Sequence, residues 1–274
     1  MKTPLVSIII TTKNEANNIG NCLKSVQKQT YRPYEIIVVD NNSLDETKNI
    51  SKRYTPLVYS KGPERSAQRN FGAKKAKGEY LIFLDADMVL TRHVVEQCVE
   101  SIQKEHVGGV IIPEKSYGDS FWAQCKTLER SFYVGNDAIE AARFYNKNDF
   151  EKSGGFDESI TGPEDWDLSQ KIKMLVGLSR VKAYILHNEG NLSLWTTIKK
   201  KYYYAKKLSP YIEKEENKYY TTTQFSLFKR YWIFLSHPQH LLENPLLGTG
   251  VIFMKTSEFI AGAVGMLEGK YIGK

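Results

Sequence analysis

The sequence predicts an α/β fold with a mostly parallel central sheet, flanking helices and a helical C-terminal extension. Short apolar runs alternate with segments of helical spacing through the first part of the 274-residue chain, which is the pattern of a parallel sheet with crossover helices. Three of the runs end in polar or acidic residues. Beyond about Leu194 the chain becomes basic and rich in tyrosine. We therefore expect an α/β domain at residues 1–195 and a separate helical region at 196–274.

The composition and the cysteine spacing argue against two classes of protein, those held together by disulfides and those held together by structural zinc. The apolar content of 41% is ordinary for a folded protein and sufficient for a large core. Cys22, Cys98 and Cys125 lie far apart and form no CxxC pair, which argues against a disulfide framework and a zinc ribbon. A reducing compartment is the simplest setting for such a chain.

The first predicted unit is a strand, a polar loop and a helix. Residues 5–10 have strand composition, and residues 11–18 are polar and turn-like. Apolar residues then recur at helical spacing, namely Ile19, Cys22, Leu23 and Val26.

Two further units repeat this order. A buried strand at residues 35–40 closes on Asp40 and is followed by a loop at 41–43 and a helix beginning near Leu44. A short strand at 57–59 precedes a helix from about Ser66 to Ala76, which carries Arg69. Such alternation predicts right-handed crossovers and a sheet covered on both faces.

The fourth strand, Tyr80 to Leu84, ends in Asp85-Ala86-Asp87. Side chains alternate along a strand, but a strand that runs into a loop can turn both carboxylates toward one point. A pair of hard oxygen ligands there fits Mg²⁺ or Mn²⁺ held jointly with substrate phosphates. Asp-x-Asp is also common as the plain polar end of a strand, so the tripeptide alone leaves both interpretations open.

Three polar strand ends are predicted at one edge of the sheet. Residues 11–15, 40–42 and 85–87 each follow a predicted parallel strand. Ligands of open α/β sheets bind beyond the carboxyl ends of the strands. The co-occurrence therefore predicts a ligand site at this edge.

The order of these segments resembles family 2 glycosyltransferases, which have the GT-A (Rossmann-like) fold. The segments that carry the resemblance are residues 6–15, 35–43, 69–72 (Arg-Asn-Phe-Gly), 78–87, 154–158 (Gly-Gly-Phe-Asp-Glu) and 162–168 (Gly-Pro-Glu-Asp-Trp-Asp-Leu). One departure is Thr12-Lys13, where the family more often has Pro-Tyr. The resemblance covers roughly residues 5 to 190 and makes residues 1–195 the expected catalytic domain.

The resemblance implies transfer of a sugar from a UDP- or GDP-linked donor to an acceptor hydroxyl, with inversion and with Mg²⁺ or Mn²⁺. The implied donor-binding residues are Thr11, Glu15, Asp40, Asn42, Arg69, Asp85 and Ala86. Asp87 is the implied principal metal ligand, Asp85 reaches the ribose or the metal shell, and His187 completes the metal set. A lone histidine after an apolar run is more often a core or surface residue.

The implied acceptor side contains Gly155, Glu164 and Trp166. Inversion by single displacement needs a base opposite the leaving group, and Asp165 is our candidate. A carboxylate at a helix start is also a common cap, so we assign Asp167 as the cap of a helix at 168–175 and Asp165 as the base. Aromatic residues between 114 and 145 fit either an acceptor wall or core packing.

The C-terminal region predicts amphipathic helices on a membrane surface. Residues 196–274 contain 12 Lys and Arg but only 6 Asp and Glu, whereas the rest of the chain contains 26 Lys and Arg and 25 Asp and Glu. Basic, aromatic clusters precede a mostly apolar run at 246–267 that Lys255 and Glu258 interrupt. This favours helices lying on an anionic membrane. A soluble helical subdomain is the alternative, and nucleic acid is not favoured because the basic residues accompany long apolar stretches.

The expected protein is thus cytoplasmic, peripheral at the inner face of the cell membrane, with a lipid-linked or surface glycan as acceptor. Two other classes remain open. A sugar nucleotidyltransferase normally has a glycine-rich phosphate loop after its first strand, and residues 11–18 contain no glycine. A catalytically silent glycan- or membrane-binding module would have no need of all these carboxylates.

Overall fold

The computed structural model describes residues 3–272, and for Glu215, Tyr219, Thr223, Tyr271 and Ile272 only the backbone is described. Two compact units interleave along the chain. Unit 1 comprises the residues up to 113 together with 141–158 and 164–187, and unit 2 comprises 114–140, 159–163 and the residues from 188 onward. The region predicted as a C-terminal extension belongs to unit 2, and its last two residues lie outside the described residues.

The secondary structure follows the predicted alternation in its first half and is helical in its last third. In chain order the elements are β1 (Val6–Thr12), α1 (Ile19–Gln27), β2 (Tyr34–Asp40), α2 (Thr47–Lys52), β3 (Val58–Ser60), α3 (Arg65–Lys75), β4 (Tyr80–Asp85), β5 (Met88–Leu90), α4 (Val94–Glu105), β6 (Gly109–Ile111), β7 (Glu114–Tyr117), α5 (Phe121–Ser131), β8 (Ala142–Asn146), α6 (Lys147–Lys152), α7 (Glu164–Leu175), β9 (Leu178–Arg180) and β10 (Ile185–Asn188). Then follow α8 (Leu194–Lys206), α9 (Ser209–Ile212), a 3₁₀ turn (Glu215–Asn217), α10 (Lys218–Gln224), α11 (Leu227–Leu235), α12 (Pro238–Leu242) and α13 (Pro245–Ile272).

Unit 1 is built on a seven-stranded sheet of order β3-β2-β1-β4-β8-β6-β9. The first four strands are mutually parallel, and β8 runs antiparallel to β4 and β6. Register places Thr12 opposite Asp40 and Thr11 opposite Asp85. The predicted α/β class with a mostly parallel sheet is confirmed, and the carboxyl ends of β1, β2 and β4 meet at one edge.

Both faces of this sheet are covered, because consecutive side chains of a strand point to opposite sides. Ile8 and Ile10 pack with α1 and α4 on one face, and Ile9 packs with α3 and α7 on the other. Helix α3 lies very close to the sheet, since a Cβ at Gly72 would come within 2.5 Å of Ile9 Cγ2. This close contact fixes the position of Arg69, one turn earlier on α3.

The helix predicted near Leu44 begins only at Thr47. Residues 44 and 45 instead tie the second loop to the first: the backbone N–H of Leu44 donates to Asn14 Oδ1 at 2.9 Å, and Ala16 N–H donates to Asp45 Oδ2 at 3.1 Å. Asx side chains compete in this way with helix formation. The two loops at the ends of β1 and β2 are therefore held together.

Unit 2 is a helical assembly with its own core of Cys125, Tyr133, Phe234, Val251 and Met254. Helix α13 runs beside α8 at very short range. A Cβ at Gly265 would collide with the carbonyl oxygen of Tyr202, and one at Gly269 with that of Lys206. Glycines at this spacing allow two helix backbones to approach closely.

Helix α13 has the length and apolar composition of a membrane span over Pro245–Lys270, and 39% of its most apolar window is buried. Its two internal charges are buried against α5. Lys255 Nζ pairs with Glu258 Oε2 at 2.6 Å and with Glu129, and Lys126 Nζ lies 3.2 Å from Glu258 Oε1. The charges that interrupt the apolar run thus neutralise one another within unit 2.

We expect unit 2 to lose stability on acidification. Burial raises the pKa of Glu258, but Lys126, Lys255 and Lys201 outweigh it and lower the pKa from 4.5 to about 2. A carboxyl whose folded pKa is depressed stabilises the fold above its unfolded pKa and loses that contribution as pH falls from about 4.5 to about 2. Urea unfolding across this range should show the loss. Glu258→Gln should flatten the slope and, at neutral pH, cost about 3 kcal/mol; an unchanged slope would contradict the assignment.

Candidate active site

A buried arginine joins the end of β4 to the start of α7 within unit 1. Arg69 is fully buried; its Nη2 donates to Asp85 Oδ1 at 3.0 Å and its Nη1 donates to Asp165 Oδ1 at 2.6 Å. The guanidinium lies 5.2 Å from the centroid of the Phe156 ring. The planar, forked guanidinium presents separate N–H donors to two carboxylates on different elements. Two predicted donor residues and the predicted base therefore share one network.

Two further arginines face Asp85. Arg65 Nη1 and Arg143 Nη1 lie 3.9 and 4.0 Å from Asp85 Oδ2, and Thr11 Oγ1 donates to Oδ1 at 3.0 Å. Although burial alone raises the pKa of Asp85, Arg69, Arg65, Arg143 and His187 outweigh it and hold that pKa far below its ordinary value. Asp85 is thus a permanently ionised partner of arginines.

Glu164, predicted on the acceptor side, is buried behind the same arginines. Its Oε1 lies 3.0 Å from Arg65 Nη2 and 3.4 Å from Arg69 Nη1. Burial raises the pKa of Glu164, although Arg65 and Arg69 oppose the rise. With 2% of its side chain exposed, Glu164 contacts these arginines from inside the fold.

Asp87 lies beside His187, as the resemblance implied for a metal pair. Strand β10 pairs antiparallel with β5 and sets His187 opposite Met88, the residue after Asp87. His187 Nε2 is 3.2 Å from Asp87 Oδ2. The pairing of β5 with β10, which lies outside the seven-stranded sheet, brings together two residues that are 100 positions apart in the sequence.

The donor set at Asp87 and His187 fits a divalent cation. Among the described residues, Asp87 Oδ1 is a buried oxygen without a hydrogen-bond partner, which is costly unless a cation or ligand satisfies it. A carboxylate oxygen and an imidazole nitrogen suit Mn²⁺ or Mg²⁺. Within residues 3–272 no group of three or more His, Cys, Asp or Glu side chains could hold a metal, so substrate oxygens would have to supply the remaining ligands.

The first two loops place the other predicted donor residues. Thr11 is buried at the sheet edge, while Glu15 is half-buried, and Asn18 Nδ2 donates to Glu15 Oε2 at 2.7 Å. Burial raises the pKa of Glu15, and Asp87, Asp45 and Asp85 add to the rise. Glu15 therefore faces the same acidic region as the Asp-x-Asp tripeptide.

Asp40 lies at the end of β2, fully buried, with its oxygens already engaged. Ser43 N–H donates to Oδ2 at 2.9 Å, and Ser43 Oγ donates to Oδ1 at 2.5 Å. Asn42 is exposed and has a φ of 51°, and Ala86 is buried in the turn between the two aspartates. A hydrogen bond from a nucleobase to Asp40 would use a lone pair of the carboxylate oxygens that does not already accept from Ser43.

The acceptor-side residues lie around Arg69. Gly155 has a φ of +69°, and a Cβ there would lie 2.9 Å from Asn70 Oδ1, so the loop passes directly over α3. Trp166 is half-buried on the first turn of α7.

The assignment of Asp167 as an N-cap was wrong: α7 already begins at Glu164, and Asp167 is buried inside it, 2.8 Å from Lys171 Nζ. Asp165 remains 21% exposed at the helix start.

Sequence reasoning missed Arg65 and Arg143. Arg65 precedes Arg69 by four residues and so shares its helix face, a signal that was available in the sequence. Arg143 comes from β8, whose antiparallel insertion next to β4 nothing in the local sequence indicated.

Comparison with protein families and curated sequences is consistent with this architecture. A family model described as glycosyl transferase family 2 matches residues 7–155. Glycosyltransferase AglE of Haloferax volcanii is 38% identical over 108 residues, covering 36% of this chain and 36% of the relative. The uncharacterized glycosyltransferase RT0329 of Rickettsia typhi is 30% identical over 183 residues, covering 61% and 58%. The chain thus matches between about a third and three fifths of the length of these relatives.

Two solved structures share the fold. The mannosyltransferase PcManGT of Pyrobaculum calidifontis, in complex with GDP-Man and Mn²⁺, superposes with a TM-score of 0.67 at 19% identity over 97% of this chain and 88% of that one. TarS of S. aureus in complex with UDP-GlcNAc gives a TM-score of 0.54 at 15% identity over 97% and 91%. At these identities the likeness shows the GT-A fold.

Proposed function

Because the chain belongs to glycosyl transferase family 2, we propose that it transfers a sugar from a UDP- or GDP-linked donor to an acceptor hydroxyl, with inversion at the anomeric carbon. The observation that carries the proposal is the Arg69 bridge between Asp85 at the sheet edge and Asp165 on α7. It brings a predicted donor residue and a predicted base to one point.

The donor is proposed to lie along the ends of β1, β2 and β4. Thr11, Glu15, Asp40 and Asn42 line the nucleoside side, and Asp85 with Ala86 marks the sugar-phosphate side. Two solved structures with a similar fold contain GDP-Man and UDP-GlcNAc, respectively. They support a nucleotide sugar as the class of donor and leave the base and the sugar open.

Asp87 and His187 are proposed to hold Mg²⁺ or Mn²⁺ together with the donor phosphates. The support is the unsatisfied Asp87 Oδ1 beside the imidazole and the Mn²⁺ in the mannosyltransferase complex. When bound, such a cation offsets the negative charge that a leaving nucleoside diphosphate gains. Asp85 is saturated by arginines and contributes through them.

Asp165 is proposed as the general base. It is partly exposed, lies at the positive end of a helix and accepts a hydrogen bond from Arg69. The guanidinium fixes the orientation of the carboxylate, and the exposed part of the side chain is open to a substrate. Asp165 can then take the proton of the incoming hydroxyl, with Gly155 and Trp166 on the acceptor side.

The class of reaction is tested by incubating the purified protein and Mn²⁺ with a panel of UDP- and GDP-sugars. We expect slow release of UDP or GDP from one of them. Release of pyrophosphate would instead identify a nucleotidyltransferase, and tight glycan binding without nucleotide or metal affinity would identify a silent module.

Asp87→Asn should weaken Mn²⁺-dependent nucleotide binding by about tenfold or more, since removal of a carboxylate ligand typically costs at least that in metal affinity. Calorimetric titration with UDP or GDP, with and without Mn²⁺, measures the difference. Asp119→Asn in unit 2 is the control and should bind as the wild type does. Equal Mn²⁺ dependence in Asp87→Asn would remove Asp87 from the metal site.

The acceptor is proposed to be a lipid-linked or surface glycan, reached from the cytoplasmic face of the membrane by a peripherally bound enzyme. The support is the basic excess after residue 196 and the exposed apolar side chains of unit 2. Such helices bind membrane surfaces through apolar area and anionic headgroups.

A further inference from the structure

Helix α13 exposes a straight apolar line on its outer side. Leu246, Phe253, Ile260 and Leu267 are spaced by seven residues, and each is at least 57% exposed. Seven residues are close to two full helical turns, so these side chains share one face over about 31 Å. Between Leu246 and Leu267 the charged residues are Lys255 and Glu258, and both point inward. The outer line is therefore uncharged along its whole length.

Helix α11 extends this surface with aromatic side chains. Phe228, Trp232 and Leu235 lie at i, i+4 and i+7, are 61 to 76% exposed, and face away from the buried Arg230 and Phe234. The Phe228 and Trp232 rings are stacked with centroids 6.1 Å apart. Tyr231 Oη is 2.6 Å from Thr256 Oγ1, on the outer side of α13. The contact sets α11 alongside the apolar line of α13.

Helix α8 packs on the glycine side of α13, away from the line of Leu246, Phe253, Ile260 and Leu267, and carries exposed positive charge of unit 2. Its exposed side alternates aromatic and basic residues at four-residue spacing, Trp195, Lys199 and Tyr203, and the C-cap residue Lys207 continues the series. Lys199 Nζ lies 5.1 Å from the Trp195 ring centroid, and Lys207 Nζ lies 4.4 Å from that of Tyr203. Aromatic rings beside lysines are typical of the lipid–water interface.

We propose that the outer faces of α11 and α13 dock on an anionic phospholipid bilayer, with α13 lying in the plane of the interface. We call this the docking face and define it by Phe228, Trp232, Leu235, Leu246, Phe253, Ile260 and Leu267. The inference rests on the peripheral location proposed above and names the surface responsible. Exposed apolar patches of this extent mark interaction sites.

A transmembrane arrangement of α13 conflicts with its packing. Helix α8 runs against it at glycine contact distance and carries four lysines, Lys199, Lys200, Lys201 and Lys206, with Lys207 directly after it. To cross the bilayer, α13 would have to separate from α8 or carry those lysines into the hydrocarbon, and the latter is costly. Lying in the interface leaves the packing intact.

A second copy of the chain fits the docking face less well than lipid. A helical seam needs apolar residues at both alternating positions, yet two of the three positions between the apolar ones are polar: they are Thr249, Thr256 and Ala263. Lysine is also depleted in protein interfaces, whereas the basic excess of residues 196–274 is favourable against anionic headgroups.

The test is flotation of the full chain with vesicles of phosphatidylcholine alone or mixed with phosphatidylglycerol. We expect binding to the mixed vesicles that weakens with salt and is released by alkaline carbonate. The double variant Phe253→Gln/Ile260→Gln should bind at least about tenfold more weakly, with unchanged helical circular dichroism and thermal midpoint. The control Met174→Gln/Leu175→Gln changes two exposed apolar residues of unit 1 and should bind like the wild type.

Three results would overturn the proposal. Equal flotation of the Phe253/Ile260 variant would show that this face does not meet lipid. Retention after carbonate would show a spanning helix. A wild-type dimer in sedimentation velocity that this variant converts to a monomer, with flotation unchanged, would assign the face to a second copy. Nucleotide binding measured without vesicles is independent of all three, so failure of the proposed transferase reaction would be seen separately.

Discussion

Asp165→Asn is expected to lower the rate of sugar transfer by about 10²–10⁴-fold, the usual contribution of a positioned general base, with donor affinity changed by no more than a few fold. The amide oxygen can still accept the hydrogen bond from Arg69 Nη1 that the carboxylate accepts at 2.6 Å. The network therefore keeps its geometry and loses only the group that takes the proton. Initial rates at saturating donor, together with calorimetric donor binding, separate the two effects.

The matched control is Asp167→Asn, two residues further along α7. This carboxylate is buried and paired with Lys171, so its removal should lower the free energy of unfolding while each folded molecule transfers sugar at the wild-type rate. Transfer by Asp165→Asn at the wild-type rate would remove the residue from the reaction. Simultaneous loss of transfer and donor binding would instead assign it to the fold of the site.

The central sheet was predictable because three of its parallel strands, β1, β2 and β4, are largely buried on both faces. Such strands are near-continuous apolar runs, and residues 6–10, 35–39 and 80–84 show this directly. The polar edge was predictable for the same reason: the runs end where the strands leave the core. What these runs could not indicate was β8, a strand from residues 142–146 that inserts antiparallel beside β4 and delivers Arg143 to Asp85.

Ion pairing was the least predictable part of the site. Sequence spacing brought Asp85 and Asp87 together as candidate metal ligands, yet their surroundings differ: Asp85 is held by arginines, while Asp87 meets His187. The separation depends on contacts between residues 16 to 100 positions apart. The hydrophobic pattern of a short segment predicts which of its residues are buried, but it does not predict which distant residues form ion pairs with them.

The aromatic segment at 114–145 illustrates an ambiguity that spacing left open. Tyr145 and Phe144 are buried in the core of unit 1 on β8, and Tyr133 is buried in the core of unit 2. Helical and strand packing thus account for these three rings, whereas Tyr117 and Phe121 of the same segment are exposed. Half of the large aromatic side chains that are exposed lie on α8 and α11, namely Trp195, Tyr203, Phe228 and Trp232.

Arg69→Met is expected to lower the free energy of unfolding by about 3–5 kcal/mol, the usual result of removing one partner from a buried ionic network. It would leave Asp85, Glu164 and Asp165 close together without the cation that joins them. Arg69→Lys should recover only part of the loss, since a compact ammonium lacks the fixed, widely separated N–H donors with which the guanidinium reaches Asp85 and Asp165 at once. Urea unfolding followed by circular dichroism measures both.

Arg53→Met, at an exposed position after α2, is the control and should change stability by less than about 0.5 kcal/mol. The double variant Arg69→Met/Asp165→Asn provides the sharper test. If repulsion between unpaired carboxylates causes the loss, removal of one of the three charges should restore part of the stability, and the two changes should be non-additive. Strict additivity would mean that Arg69 stabilises unit 1 through its packing on Phe156, and that the charge network is incidental to the fold.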